Sequence, residues 1–262
     1  MIFDWVNSVS IITAFTVTTL VFVAFCWLGT FASRPLVKSL AKRQPGLNET
    51  VGDFLQYFGV IYGLLVGLLA VAAYQNLSDV DKTVGNEAAS LGALYRDVGV
   101  YPEPLRSELQ GQIRDYTRFV IEEAWPLQQK GTVPEGAVTR VAKIYEQLAA
   151  FEPQSKSQEA LHQEALQQFN TFFQYRRQRL QSVTEIIPPV LWYTVLVGAL
   201  VNMMLIWLFD LRLGIHLLLG GFLSFFLATM ITLILLLDQP FRGAVSISPD
   251  AFALVYDQLM KN

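Results

Sequence analysis

Four long stretches without a charged residue constrain the fold of this chain more than any other feature. They lie between Asp4 and Arg34, between Asp53 and Asp79, between Glu185 and Asp210, and between Arg212 and Asp238. Each exceeds the roughly 20 apolar residues that a helix needs to cross the hydrocarbon core of a bilayer. Because lipid offers the backbone no hydrogen-bond partner, helices are the expected structure of such stretches. The sequence therefore predicts an all-α membrane protein with four transmembrane helices.

The charged residues are concentrated between the second and the third of these stretches. Positions 76–185 hold 12 of the 19 Lys and Arg residues and 15 of the 22 Asp and Glu residues. One polar insertion in a membrane protein accounts for this distribution. The predicted segments are 1–53 (first transmembrane helix and a basic loop, RPLVKSLAKR), 54–75 (second transmembrane helix), 76–185 (helical soluble insertion), 186–238 (third and fourth transmembrane helices) and 239–262 (a short tail).

The insertion has the three- and four-residue spacing of apolar side chains that is typical of amphipathic helices. Prolines separate three such stripes. The stripes comprise Leu105, Leu109, Ile113, Tyr116 and Val120, then Val138, Val141, Ile144 and Leu148, then Leu161, Leu166, Phe169, Phe172 and Phe173. Since no long polar linker follows position 75, the second transmembrane helix is expected to continue unbroken into the insertion.

Composition and motifs argue against several classes of protein. A net charge of −3 does not provide the basic face that nucleic-acid binding needs. With one cysteine and two histidines, an internal disulfide, a zinc site or a histidine-based triad is not expected. The transmembrane stretches carry no charged residue, which argues against an ion-coupled transporter. Nucleotide-binding motifs and catalytic residue sets are also missing, so we predict no enzyme, no cofactor and no metal site.

Gly59, Gly63 and Gly67 follow one another at four-residue steps in the second transmembrane helix. Glycines at this spacing form a groove in which a neighbouring helix can approach closely. One interpretation is tight packing around an oligomer axis or a pore. Ordinary contact between helices of the same chain explains the pattern equally well.

Opposite this groove, Phe58, Ile61, Leu65 and Leu68 form a line of apolar side chains, which Ala72 continues. These are the candidate pore-lining residues, because an apolar constriction can gate ions by dewetting. The alternative is contact with lipid, which is the commoner role of such a stripe.

Charged residues of the insertion suggest further candidates. Arg176, Arg177 and Arg179 form a basic cluster near a membrane face. They are predicted to attract small anions or anionic lipid headgroups, or to act as an interfacial anchor. Glu87 is expected to form ion pairs close to Arg96 on its own helix. Basic residues near the span ends number five on each side, so charge alone does not fix the membrane orientation.

Several segments of the sequence resemble the bacterial bestrophin-like domain family, which is distantly similar to bestrophin anion channels. They are NEAASLGALYRD (86–97), YTRFVIEEAWP (116–126), RRQRL (176–180), PPVLW (188–192) and DQPFRG (238–243). The resemblance implies a pentamer whose five second helices line an anion pore with a hydrophobic neck. It also implies a bacterial inner membrane protein with a cytoplasmic insertion and cytoplasmic termini.

The chain departs from bestrophins after the fourth transmembrane helix. Bestrophins carry an acidic cluster there that binds Ca²⁺, an ion that needs six to eight oxygen ligands. Here only Asp238, Asp250 and Asp257 are present, and they are scattered. Calcium gating is therefore not predicted.

Two functions follow as hypotheses from the sequence. The first is a homo-oligomeric, pentameric channel that passes small anions such as chloride and has membrane lipids and copies of itself as partners. The alternative is a membrane-anchored sensor or scaffold whose insertion binds a ligand or a partner protein. The second hypothesis has to account for an output module, because only residues 239–262 follow the fourth span.

Overall fold

The computed structural model describes residues 4–261, which form helices joined by short turns, without a strand in this range. The chain divides into two compact units. Residues 4–75 and 187–238 form the membrane unit, and residues 76–186 and 239–261 form the polar unit. Residues 1–3 and 262, at the outer ends of the predicted first and last segments, lie outside the described residues.

The helices follow the order that the hydropathy pattern predicts. They are α1 (Ile11–Arg43), α2 (Leu47–Asp97), α3 (Leu105–Phe119), α4 (Trp125–Gln128), α5 (Gly136–Ala149), α6 (Lys156–Ser182), α7 (Pro189–Trp207), α8 (Leu213–Leu237) and α9 (Asp250–Val255). Within the described residues, four of them, α1, α2, α7 and α8, are long and apolar enough to cross a membrane. This confirms the predicted four transmembrane helices.

The expected basic loop after the first transmembrane helix is instead helical. Helix α1 begins at the N-cap Ser10, whose hydroxyl accepts the Thr13 N–H, and it continues through Pro35 to Arg43. Leucine, alanine, lysine and arginine are good helix formers, so segment 34–43 can extend the helix. Gly46, with a positive φ of 87°, then makes the tight turn into α2.

Helix α2 is continuous over 51 residues, as expected from the missing linker. Its first part belongs to the membrane unit, where Val51, Tyr62, Val66 and Ala73 form its buried face. From residue 76 the same helix belongs to the polar unit. A single helix thus carries the chain from one unit to the other.

The core of the polar unit consists largely of the predicted stripes. Leu109, Ile113, Tyr116 and Val120 are buried, as are most of the corresponding residues of α5 and α6. Val138, Leu161 and Phe173 are exceptions, because their side chains are exposed. In α5 the inward position belongs to Ala137, one residue earlier, which lies in helical register with Val141 and Leu148.

The segment expected to be a short tail is part of this core. Trp125 packs against the rings of Phe241 and Phe252, with centroids 5.6 and 6.0 Å away. Its indole N–H donates to the carbonyl of Ile247 at 3.2 Å. Met260, near the end of the chain, is fully buried. Residues 239–261 therefore complete the polar unit.

Candidate functional site

The predicted pore-lining residues lie on a face of α2 that the membrane unit leaves largely uncovered. Phe58, Ile61 and Leu68 are 44, 68 and 63% exposed, although their side chains are apolar. Leu65 is half-buried and, together with Leu68, lines a shallow apolar cavity of about 260 Å³ beside α7. The structure brings the four residues together along one side of a membrane helix.

The groove that Gly59, Gly63 and Gly67 form on α2 is mostly not occupied by other helices of the described chain. Apart from the adjoining backbone of α2 itself, a methyl group added at Gly63 or Gly67 would meet no atom of the described residues within 4 Å, and one added at Gly59 would meet only Asn202 Oδ1, at 3.9 Å. Contact within the chain, one of the two interpretations of the pattern, therefore does not explain Gly63 and Gly67.

Close approaches within the membrane unit occur at other glycines. A methyl group at Gly198 would overlap the Tyr62 ring, and one at Gly29 would overlap the Trp207 indole. Sequence reasoning missed both positions, because neither belongs to a run of small residues at helical spacing.

The three arginines of the basic cluster lie in different environments. Arg177 is exposed, whereas Arg176 and Arg179 are buried. Residues three apart on a helix lie on the same face, whereas each single step along the helix turns the side chain by about 100°. Arg177 therefore points away from the face that Arg176 and Arg179 share. For Arg179 the predicted attraction of anions or lipid headgroups is wrong, because its guanidinium is buried and bound within the chain.

Arg179 forms a buried ion pair with Glu87 in the polar unit. Its Nε–H donates to Glu87 Oε2 at 2.5 Å, and a second guanidinium N–H donates to Oε1 at 3.0 Å. A third donates to Gln128 Oε1 at 2.7 Å. The guanidinium also lies over the Trp125 and Phe252 rings, 5.5 and 5.7 Å from their centroids. The pair joins α2, α4 and α6 at the centre of this unit.

The buried environment alters proton affinity in this cluster. Burial and the adjacent Glu87 carboxylate raise the pKa of Tyr116, whose hydroxyl donates to Glu87 Oε1 at 3.2 Å. Burial acts to lower the pKa of Arg179, but the Glu87 carboxylate outweighs it and the pKa is raised. Both side chains therefore keep their protons over the physiological pH range.

The sequence contained a signal for this pair that our expectation for Glu87 did not use. Glu87 lies in helical register with Leu91, Leu94 and Val98, all of which are buried. A carboxylate within an apolar stripe requires a partner from another element, since an unpaired buried charge is very costly. Ion pairing with Arg96 on the same helix is thus not what the structure shows.

Asp238 links two ends of membrane helices within the membrane unit. It follows α8, and its carboxylate accepts the backbone N–H of Ile187, just before α7, at 2.6 Å. Asp238→Ala is expected to lower the stability of the folded chain by about 1–3 kcal/mol, because a partly buried N–H loses its charged acceptor. Thermal unfolding of the detergent-solubilised protein measures this effect.

Asp210→Ala is the matched control for Asp238→Ala. Asp210 lies in another turn of the membrane unit and bonds Asn48 through its backbone, so the substitution keeps those hydrogen bonds. Equal unfolding temperatures for the two variants would contradict the role of the Asp238 carboxylate.

Comparison with known proteins identifies the family. The sequence matches the model of the bestrophin-like domain over residues 20–252. The chain belongs to the bestrophin-like family, which confirms the resemblance found in its sequence. A search of curated proteins finds no significant match.

Solved structures show the same fold. A point mutant of a bacterial bestrophin homologue from Klebsiella pneumoniae aligns with a TM-score of 0.68 at 12% identity, covering 93% of this chain and 99% of that one. Another structure of the Klebsiella homologue gives 0.67 at 10% identity, covering 92 and 97%. A membrane protein with a glycine-to-alanine substitution gives 0.70 at 11% identity, also covering 92 and 97%. The chain is thus a four-helix membrane protein with a bestrophin-like fold.

Proposed function

We propose that this protein is a homo-oligomeric channel, pentameric like bestrophins, in which copies of α2 surround a pore for small anions such as chloride. The observation that carries the proposal is that α2 leaves two faces uncovered, the apolar line and the glycine groove opposite it. Gly63 and Gly67 open onto space that no side chain of residues 4–261 fills. A helix face in contact with lipid gains nothing from glycine. A face in contact with a neighbouring helix does, because glycines allow the two backbones to pack closely.

The apolar line on the same helix supplies the hydrophobic neck. This line consists of Phe58, Ile61, Leu65 and Leu68, whose side chains have no charge and no hydrogen-bonding group. Water and ions therefore cross a narrow passage between such side chains only when it is wide enough to be wetted. Weakly hydrated anions pay the smallest cost at such a constriction. We infer that selectivity depends on hydration and on helix dipoles rather than on a charge fixed in the membrane.

Bestrophin-like fold and family membership support the remaining parts of the proposal. By this relationship the protein lies in the inner membrane of a bacterium, with the polar unit and both termini in the cytoplasm. Its partners are membrane lipids, small anions and copies of itself, and it acts as a channel rather than as an enzyme. We also propose that Arg177, the exposed member of the basic cluster, attracts anions or lipid headgroups; its exposure supports this role.

Recordings of purified protein in planar bilayers test conduction. We expect a current in chloride that falls when gluconate replaces it. Replacing Ile61 and Leu68 together with serine makes the neck easier to wet, and we expect conductance to rise about tenfold, which corresponds to a barrier lower by ~1.4 kcal/mol.

Leu218→Ser on α8 is the control, because this exposed leucine lies on a helix that does not line the proposed pore. Conductance should then stay at the wild-type level. A wild-type assembly that does not conduct, or an equal change in both variants, would contradict the proposal.

A further inference from the structure

A groove of about 380 Å³ runs between α5 and α6 in the polar unit. Val138, Val141 and Tyr145 of α5 form one wall, and Phe169 and Phe173 of α6 form the other. The Phe169 ring lies 5.5 Å from the Tyr145 ring and 6.3 Å from the Phe173 ring. The walls are thus mainly apolar, and the volume is within the range of small-molecule sites, about 300–1,000 Å³.

The groove leaves large apolar side chains open to solvent. Val138, Tyr145 and Phe173 are 63, 51 and 45% exposed. Two of them, Val138 and Phe173, are members of the amphipathic stripes, most of whose other residues belong to the core. An occupant with an apolar body would remove this surface from water.

Arg176 adds a buried positive charge to the same groove. Its side chain is only 6% exposed, and its Nε is buried without a hydrogen-bond partner. The Glu87 carboxylate of the same unit is bound through both of its oxygens by Arg179. No ion pair of Arg176 is seen among the described residues, and no acidic residue lines the groove, so its charge has no counterion there. Buried charges in proteins are normally paired.

We propose that this groove binds a single-chain amphiphilic carboxylate, such as a medium-chain fatty acid. The carboxylate binds the Arg176 guanidinium, whose planar donors match it. The apolar chain lies along Val138, Tyr145 and Phe173. One negative charge balances one unpaired guanidinium, and one chain fits one narrow groove. This site is independent of the proposed conduction through α2.

Photoaffinity labelling of the full-length protein tests the proposal. The protein is placed in nanodiscs of phosphatidylcholine and irradiated with a diazirine derivative of dodecanoate. We expect labelled residues on α5 and α6 along the groove. Unlabelled dodecanoate should displace the probe at a concentration at least about tenfold lower than dodecanol or acetate, a difference of ~1.4 kcal/mol.

Substitutions separate the charge from the apolar walls. Arg176→Gln is expected to reduce labelling about tenfold, whereas Lys143→Gln, at an exposed basic residue of α5 outside the groove lining, should leave it unchanged. Tyr145→Glu places a negative charge in the exposed wall of the groove. This charge repels the carboxylate probe, so the variant should also lose labelling. Dodecanoate should raise the unfolding temperature of the wild type and of Lys143→Gln, but not that of Arg176→Gln. Without ligand, Arg176→Gln should unfold cooperatively close to the wild-type temperature, which would show that loss of labelling is not loss of folding.

Three results would overturn the proposal. Equal displacement by dodecanol would show an apolar groove without a role for the carboxylate. Cross-links from the groove to a second copy of the chain would assign it to an interface between subunits. Loss of labelling on adding phosphatidylglycerol to the nanodiscs would identify a two-chain membrane lipid as the occupant.

Discussion

Arg179→Met is expected to lower the free energy of unfolding of the polar unit by about 3–5 kcal/mol, the cost of leaving one member of a buried ion pair without its partner. Glu87 is fully buried, and Arg179 supplies two of its hydrogen bonds. After the substitution, the Tyr116 hydroxyl is the remaining donor seen at this carboxylate. The change is measured by urea denaturation of the full-length protein in nanodiscs, in which proteolysis detects unfolding of the polar unit.

A second substitution distinguishes the ion pair from simple packing. Adding Glu87→Leu to Arg179→Met removes the unpaired charge, and apolar replacements of a buried ion pair are often neutral or stabilising. We therefore expect the double variant to recover most of the lost stability. Arg177→Met, on the exposed side of α6, is the control and should change stability by less than about 0.5 kcal/mol. The Glu87→Leu single variant is measured alongside. If the loss of stability in the double variant equals the sum of the losses in Arg179→Met and Glu87→Leu, this account is contradicted.

Gly63→Leu is expected to disrupt assembly while leaving the single chain folded. An added Cβ at this position meets no other part of the described chain within 4 Å beyond the adjoining backbone of α2, and leucine is a better helix former than glycine. If a neighbouring α2 packs against this groove, the larger side chain prevents close approach. We expect at least a tenfold loss of affinity between subunits, or ~1.4 kcal/mol. Light scattering of the solubilised protein across a concentration series measures the oligomer fraction.

Gly214→Leu provides the matched control for this experiment. Gly214 lies in the first turn of α8, and an added Cβ there also meets nothing within 4 Å. Its assembly should equal that of the wild type. Unchanged assembly of Gly63→Leu would show that the glycine groove faces lipid, and the pore proposal would lose its main support.

The arginine cluster shows how far sequence spacing reaches at this site. Spacing predicts that Arg176 and Arg179 share a helix face and that Arg177 does not. Whether the shared face points to solvent or to the core depends on what packs against α6. The stripe residues Phe172 and Phe169, one and two turns before Arg176 and both buried, indicated the core. The partner Glu87 is 92 positions away, and local spacing does not identify it.

Residues 239–261 are a similar case. About half of their side chains are apolar, but no long periodic stripe marks the segment as a core element. Phe241 and Phe252 become core residues because Trp125 presents an aromatic surface for them to cover. The family model extends to residue 252 and so includes much of this segment.

The sequence by itself determined the four membrane helices, the continuous α2, the helical polar insertion and the bestrophin-like family. These properties depend on hydropathy and on spacing within one helix, which neighbouring residues specify. Only the tertiary structure decided that Glu87 pairs with Arg179, that the last segment completes the core, and that Gly63 and Gly67 stay open while Gly198 and Gly29 are filled. Such contacts join residues far apart in the chain, and their energy depends on which surfaces the folded helices bring together.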